Sequence, residues 1–277
     1  MRGYGGRVAA ITGAASGIGA ALALDLAKRG CHVALSDVDA DGLERTAATA
    51  QRSGVEVSSQ QLDVSDRAAV HDWADKVRAE HGKINMIFNN AGVALGAPVE
   101  GMHYDDLDWL MGVNFSGVVH GTKAFLPHLR DSGEGHVVNI SSVFGFIGIP
   151  SQSAYNAAKF AVRGFTEALR VELDMADQGV SATTVHPGGI KTNIARNARM
   201  SPSLSAIGID PEEAGQDFEK AFMTSPARAA RVILTGVEKD RRRVLIGPDA
   251  RLFALLGKLP PGLYQPLLAR GGQRARR

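Results

Sequence analysis

The chain has 277 residues, 44% of them hydrophobic, and 31 Lys/Arg against 29 Asp/Glu give a formal net charge of +2. That length supports one large α/β domain with a sizeable core. No run of eighteen or more apolar residues is present, which argues against a transmembrane helix. Met1–Arg7 lacks a signal-peptide apolar core, and the single Cys31 excludes an internal disulfide, so a cytoplasmic location is expected.

Charge is unevenly spread. From Arg241 to Arg277 nine Lys/Arg face one Asp, a net +8, so residues 1–240 carry −6. A basic tail can meet nucleic acid or an anionic membrane. Stacking aromatics are sparse there and no DNA-binding motif is visible, so no nucleic-acid partner is expected.

Helical and strand patterns alternate from the start, the signature of a parallel sheet covered on both faces. Val8–Ile11 reads as a buried first strand, followed by a glycine-rich turn and a helix over Ile18–Arg29 closed by Gly30. Val33–Asp37 is the second strand, a helix passes through Leu43 and Ala47, and Val55–Leu62 is the third strand. A helix around Val70, Trp73 and Val77 stops near Gly82, and Met86–Phe88 is the fourth strand. A long helical stretch is expected over about Asp105–Arg130, with Pro127 bending its last turn. His136–Ser141 is the fifth strand, a helix runs to about Met175, and Val180–Val185 is the sixth. Residues 192–225 carry no strand pattern and are expected to form a mobile insertion with a helix near 211–222. Pro226 opens another helix, and Arg243–Ile246 is a last strand. No repeat or long linker divides the chain; residues 1–248 read as one domain and 249–277 as an extension.

Thr12-Gly13-Ala14-Ala15-Ser16-Gly17-Ile18-Gly19 joins the first strand to the first helix. Small residues let backbone N–H groups approach a pyrophosphate, and the helix N-terminus favours its charge. The spacing Gly-x-x-x-Gly-x-Gly departs from the general dinucleotide fingerprint. Asp37 lies 24 residues past Gly13, at a strand end. A carboxylate there accepts hydrogen bonds from a ribose diol and repels a 2′-phosphate, which points to NAD over NADP. Asp39 and Asp41 can serve as helix caps instead.

Tyr155 and Lys159 are four apart, one turn along a single helix face, with Ser142 thirteen residues upstream. A free tyrosine near ~10 is a poor base at neutral pH, and a fixed cation beside it favours the phenolate. Taken alone, the pair reads equally as a surface lysine beside a half-buried tyrosine. Asn114 is poorly placed in the apolar run Met111–Val119 unless its amide is satisfied. Eight scattered histidines show no metal-ligand spacing, and no metal is expected.

Thr12–Gly19, Asp63-Val64, Asn89-Asn90-Ala91-Gly92, Asn114, Ser142 with Tyr155-x-x-x-Lys159, and Pro187-Gly188 occur in one order. Together they resemble the short-chain dehydrogenase/reductase family over about residues 7–248. The resemblance implies a Rossmann-like, doubly wound parallel sheet of about seven strands and a nicotinamide cofactor across the strand ends. It implies Tyr155 as acid/base, Lys159 lowering its pKa and holding the nicotinamide ribose, Ser142 positioning the substrate oxygen, and Asn114 holding a relay water. Gly13, Ser16, Gly17, Ile18, Gly19 and Asp37 would line the cofactor. Asp63 and Val64 would contact adenine, and Asn90, Ala91 and Gly92 would support the cofactor. Pro187, Gly188, Ile190 and Thr192 would contact the carboxamide and diphosphate, whereas Thr12 is expected to be structural. Family members commonly form tetramers or dimers, so a homo-oligomer is implied.

Val143–Pro150 is uncharged and apolar, which suits an apolar or ring-shaped alcohol or ketone as readily as it suits core packing. Alternative readings are an NADPH-dependent carbonyl reductase and a non-catalytic dinucleotide sensor. The leucine-rich, basic 249–277 is expected to pack on the pocket or another subunit, with a membrane-surface contact as the lesser reading.

Overall fold

A computed structural model of the chain describes residues 3–212 and 223–274. In chain order the elements are β1 (Val8–Thr12), α1 (Gly17–Lys28), β2 (His32–Asp37), α2 (Ala40–Gln51), β3 (Val57–Gln61), α3 (Arg67–His81), β4 (Met86–Asn89) and β5 (Leu95–Gly96). Next come α4 (Tyr104–Met111), α5 (Gly117–Asp131), β6 (Gly135–Ile140), α6 (Ser153–Ala176), β7 (Val180–Pro187) and β8 (Arg199–Met200). The chain closes with α7 (Pro226–Glu238), β9 (Arg243–Ile246), α8 (Pro248–Leu256) and α9 (Pro261–Arg274).

Seven strands form one parallel sheet in the order β3-β2-β1-β4-β6-β7-β9. Strand alternation divides the core between its two faces. Ala9, Ile11, Met86, Phe88 and Val138 point into a cluster with Leu22 and Leu26 of α1 and Ile233 and Leu234 of α7. Val8, Ala10, Ile87 and Val137 point the other way, to Trp73, Phe125, Leu169 and Leu173 of α3, α5 and α6. Because β1 pairs with both β2 and β4, the strand order reverses there, and a crevice opens at their C-terminal ends.

Two expectations are corrected. The helix over 105–130 is interrupted by a π turn at Gly112–Ser116 between α4 and α5. One extra residue in the turn rotates Asn114 into the interior, where it is fully buried; α5 runs on through Pro127 to Asp131. Residues 192–225 do contain a strand. β8 pairs in parallel with β5, Leu95 opposite Arg199 and Gly96 opposite Met200, and a short 3-10 turn follows at Pro202–Ile207. The helix expected near 211–222 falls largely outside the described residues.

Two histidines are sealed inside. The His136 Nε2–H donates to Thr183 Oγ1 at 2.8 Å, and the His186 Nδ1–H donates to the Ser142 carbonyl at 2.9 Å. Burial pushes both down to about 4. Unfolded, each would take up a proton first as pH falls through ~6.5. Stability is therefore fully present above ~6.5 and declines as pH drops toward 4, by on the order of 3 kcal/mol per histidine. Denaturant unfolding between pH 7 and 4.5 should show this fall. His136→Gln, which keeps a donor toward Thr183, should roughly halve it, leaving the His186 share, whereas a level wild-type profile would contradict the assignment.

Candidate active site

The glycine turn is built from the backbone outward. Gly13 and Gly17 adopt positive φ, +67° and +56°, which side-chain-bearing residues rarely do. A Cβ on Gly19 would overlap the Gly13 carbonyl. Ser16 precedes α1 without a side-chain cap, so the first N–H groups of that helix face the crevice unclaimed by a side chain. Ile18 packs on the core beneath.

Two loops are riveted together here. Thr12 Oγ1 accepts the Asn90 and Ala91 N–H groups at 3.0 and 3.1 Å. The Asn90 amide donates to the Thr12 and Gly13 carbonyls at 2.9 and 3.1 Å. Thr12 is thus structural, as expected. Asn90 spends its amide on the glycine turn, and a Cβ on Gly13 would lie 2.8 Å from Ala91 Cα. Asp37 accepts the Ala15 N–H at 2.8 Å, which fixes its carboxylate beside the turn, while Asp39 caps α2. Asp63 accepts the Ser65 N–H and hydroxyl, closing its own turn, and Val64 is buried beside it. Thr192 approaches from across the crevice, its Cγ2 3.0 Å from where a Gly17 Cβ would stand.

Ser142, Tyr155, Lys159 and Asn114 converge at the ends of β6 and α6. Ser142 opens a 3-10 turn, its Oγ accepts the Phe144 N–H at 3.1 Å, and its hydroxyl hydrogen-bonds the Tyr155 phenol. Lys159 is 3% exposed, donates to the Ile140 carbonyl at 3.1 Å and lies 5.4 Å from the Tyr155 ring centroid. Burial pushes Lys159 down to about 8. It also pushes Tyr155 up to about 12, with the Ser142 hydrogen bond as the opposing influence. The expected depression of the phenol by Lys159 is therefore not what the protein alone produces. Desolvation is the larger influence on the phenol. Asn114 Oδ1 accepts the Val93 N–H and its amide donates to the Val93 carbonyl, both at 2.8 Å, so its side chain is bound to that strand-end loop.

Sequence reasoning missed two supports. Asn156, one residue past Tyr155, accepts the Ile149 N–H and donates to the Phe144 and Ile147 carbonyls at 2.7 Å, pinning the loop after Ser142 to α6. A buried amide on the face next to Tyr155 was its only signal. Asp249, at the start of α8, accepts the Gly189 N–H at 2.7 Å. Any Cβ on Gly188 would overlap that carboxylate, so the Pro187–Gly189 loop is clasped from the extension. Ile190 is buried and bridges Thr224. Beside the site, a cavity of about 280 Å³ lies between Gly148, Ile149 and Pro150 and the Gln265, Leu268 and Ala269 positions of α9. Among the described residues, no three His, Cys, Asp or Glu cluster as metal ligands.

The sequence profile of the family described as short chain dehydrogenase matches residues 7–202. The chain is a short-chain dehydrogenase/reductase. SadH of Mycobacterium tuberculosis, named as an oxidoreductase, is 49% identical over 272 residues, covering 98% of this chain and 97% of that one. The C alpha-dehydrogenase of Sphingobium sp. is 34% identical, covering 91% of this chain and 84% of its own. A Burkholderia phymatum short-chain dehydrogenase/reductase, solved in complex with NAD, is 32% identical and superposes with a TM-score of 0.86 over 92% of this chain and 94% of that one. This short-chain dehydrogenase/reductase is accordingly an oxidoreductase with a Rossmann-like fold.

Thr12→Val removes the acceptor of two part-buried N–H groups and should cost about 1–3 kcal/mol of unfolding free energy. Thr12→Ser keeps the oxygen and should cost less than about 1 kcal/mol. Denaturant titration checks this, and equal losses in both variants would contradict it.

Proposed function

We propose that the enzyme transfers hydride between NAD(H) and a secondary alcohol or ketone bearing an apolar or ring-shaped group, in the cytoplasm and as a homo-oligomer. The observation that carries the reading is the convergence of the Ser142 hydroxyl, the Tyr155 phenol and the buried Lys159 ammonium beside a glycine cradle. The residues suit a dinucleotide. Left-handed glycines and an α1 N-terminus without a side-chain cap leave backbone N–H groups for a pyrophosphate, and the Asp37 carboxylate suits a ribose diol and repels a 2′-phosphate. Asp37 therefore also weighs against an NADPH-preferring reductase.

When bound, the nicotinamide supplies or takes the hydride. Within the chain, Ser142 would hold the substrate oxygen by a hydrogen bond that strengthens as charge develops there. Tyr155 would give its proton to that oxygen in reduction and take it back in oxidation. Lys159 would hold the ribose hydroxyls, and Asn114 would hold a water in a proton relay with Lys159. Asp63, Val64, Asn90, Ala91, Gly92, Pro187, Gly188, Ile190 and Thr192 would line the remaining cofactor surface, with residues 192–225 acting as the substrate loop. The apolar wall of Phe144, Ile149 and Phe253 around Tyr155 supports an uncharged substrate.

Tyr155→Phe should lower kcat/KM by on the order of a hundredfold or more while NAD titration by intrinsic fluorescence stays within about twofold. Unchanged turnover would refute the role. With the phenol pushed up to about 12, the protonated acid needed for reduction persists through neutral pH. Reduction should therefore hold across pH 6–8, whereas oxidation, which needs the phenolate, should rise with pH. Initial-rate profiles in both directions check this; parallel profiles would contradict it. Asp37→Ser should shift the NADP/NAD ratio of kcat/KM toward NADP by about tenfold, measured with both cofactors in parallel; an unchanged ratio would remove Asp37 from that role.

A further inference from the structure

The two faces of the C-terminal segment have different chemistry. Inward, Ala250 is fully buried, the Phe253 ring meets Phe144 edge-on at 6.5 Å, and Gly257 lies against Phe146, whose carbonyl would be 2.8 Å from any Cβ there. Leu268 and Ala269 line the cavity opposite Ile149 and Pro150. This face is used by the fold.

Outward, Leu252, Leu255, Leu259 and Leu263 are 56%, 60%, 41% and 61% exposed. In α8 the spacing of Leu252 and Leu255 sets both on one side of the helix, Leu259 lies in the turn that follows, and Leu263 is in the first turn of α9. Residues 250–277 contain six Lys/Arg and no Asp or Glu. Arg251, Lys258 and Arg270 are exposed and make no ion pair among the described residues. Just before the segment, Arg242 pairs with Asp174 and Arg243 with Glu167. Exposed leucines beside unpaired cations, with the one acid of α8, Asp249, engaged by the Gly189 N–H, are not the surface of a solvated helix.

We propose that α8 and α9 seat this enzyme on an anionic lipid surface. Leucines in the headgroup boundary would bury their exposed apolar area, and each nearby cation adds attraction to the negative leaflet. A second copy fits the face less well. Two-fold pairing would bring the segment against itself, setting the exposed Arg251, Lys258 and Arg270 of one chain against the same cations of the other. Seated this way, the cavity beside Ile149 and Leu268 stands next to the bilayer. An apolar alcohol could then reach it without crossing water, a consequence that rests on the proposed function as the docking itself does not.

The test is flotation of the full-length protein with vesicles of phosphatidylcholine alone and of phosphatidylcholine mixed equally with phosphatidylglycerol, at low and high salt. Two variants accompany it, Leu252→Ser with Leu255→Ser, and Arg251→Glu with Lys258→Glu. All four positions are exposed, so circular dichroism and thermal midpoint should match wild type. Wild type should float with the anionic vesicles at low salt, bind neutral vesicles at least about tenfold less, and be released by high salt. Each double variant should lower the bound fraction at least about tenfold. Absence of flotation with anionic vesicles at low salt would overturn the proposal, as would binding unchanged in both variants. A leucine-dependent dimer in sedimentation velocity, without vesicle binding, would assign the face to a second copy and equally overturn it.

Discussion

A lysine held out of water beside a tyrosine is the constraint around which the site is built. Lys159 is almost fully buried, and its ammonium is steadied by the Ile140 carbonyl. A charge in such a place is costly unless its surroundings are shaped to it. Two glycines make the room. A Cβ on Gly92 would come 3.6 Å from Nζ and 3.3 Å from Asn114 Oδ1, and one on Gly145 would lie 2.9 Å from the Lys159 carbonyl. The π turn holds Asn114 inward against Val93, and Ser141 donates its hydroxyl to the Lys159 carbonyl at 2.8 Å. The same desolvation lowers the lysine and raises the tyrosine, so in the protein alone their proton affinities move apart and each group is driven toward its neutral form.

Beneath the site the sheet is stiffened by polar contacts in an otherwise apolar interior. Asn89 of β4 donates to Thr122 of α5 and to Asn139 of β6, and Asn139 donates to Thr166 of α6. One bond ties the two strands to each other, and the other two link them to α5 and α6, which carry or face the catalytic groups. Buried amides are tolerated because nearly all their polar atoms are paired, and the pairing sets how β4, β6, α5 and α6 sit against one another. On the far side of the crevice, Asp249 extends this order into the loop after β7.

Much of the fold was legible because it is carried by local signals. Seven strands fall where apolar runs predicted them, and Gly82 ends α3 in the left-handed conformation that only its small size makes easy. The tyrosine, lysine and serine were legible because helix periodicity is rigid over one turn. What was illegible depends on contacts distant in sequence. The periodicity of 105–130 cannot reveal the extra residue of a π turn, since apolar spacing continues on both sides of it. Two-residue strands such as β5 and β8 are too short to alternate. Asp249 resembled any helix-start acid, and its clasp on Gly189 spans sixty residues. The desolvation of Tyr155, which raises its proton affinity in the protein alone, was not legible, because sequence shows the neighbouring charge but not the burial.

The central claim is that Tyr155 is a proton-transfer group whose ionisation is set by its surroundings. Ultraviolet difference titration of phenolate, comparing wild type with Tyr155→Phe, with and without saturating NAD, addresses it directly. Of the four tyrosines, Tyr4 should be silent, since burial pushes it far up. A phenolate step present in wild type, missing in the variant, and moved to lower pH by NAD is the predicted result. A Tyr155 step at the same pH with and without NAD would contradict the account, as would wild-type and variant titrations that coincide in both conditions.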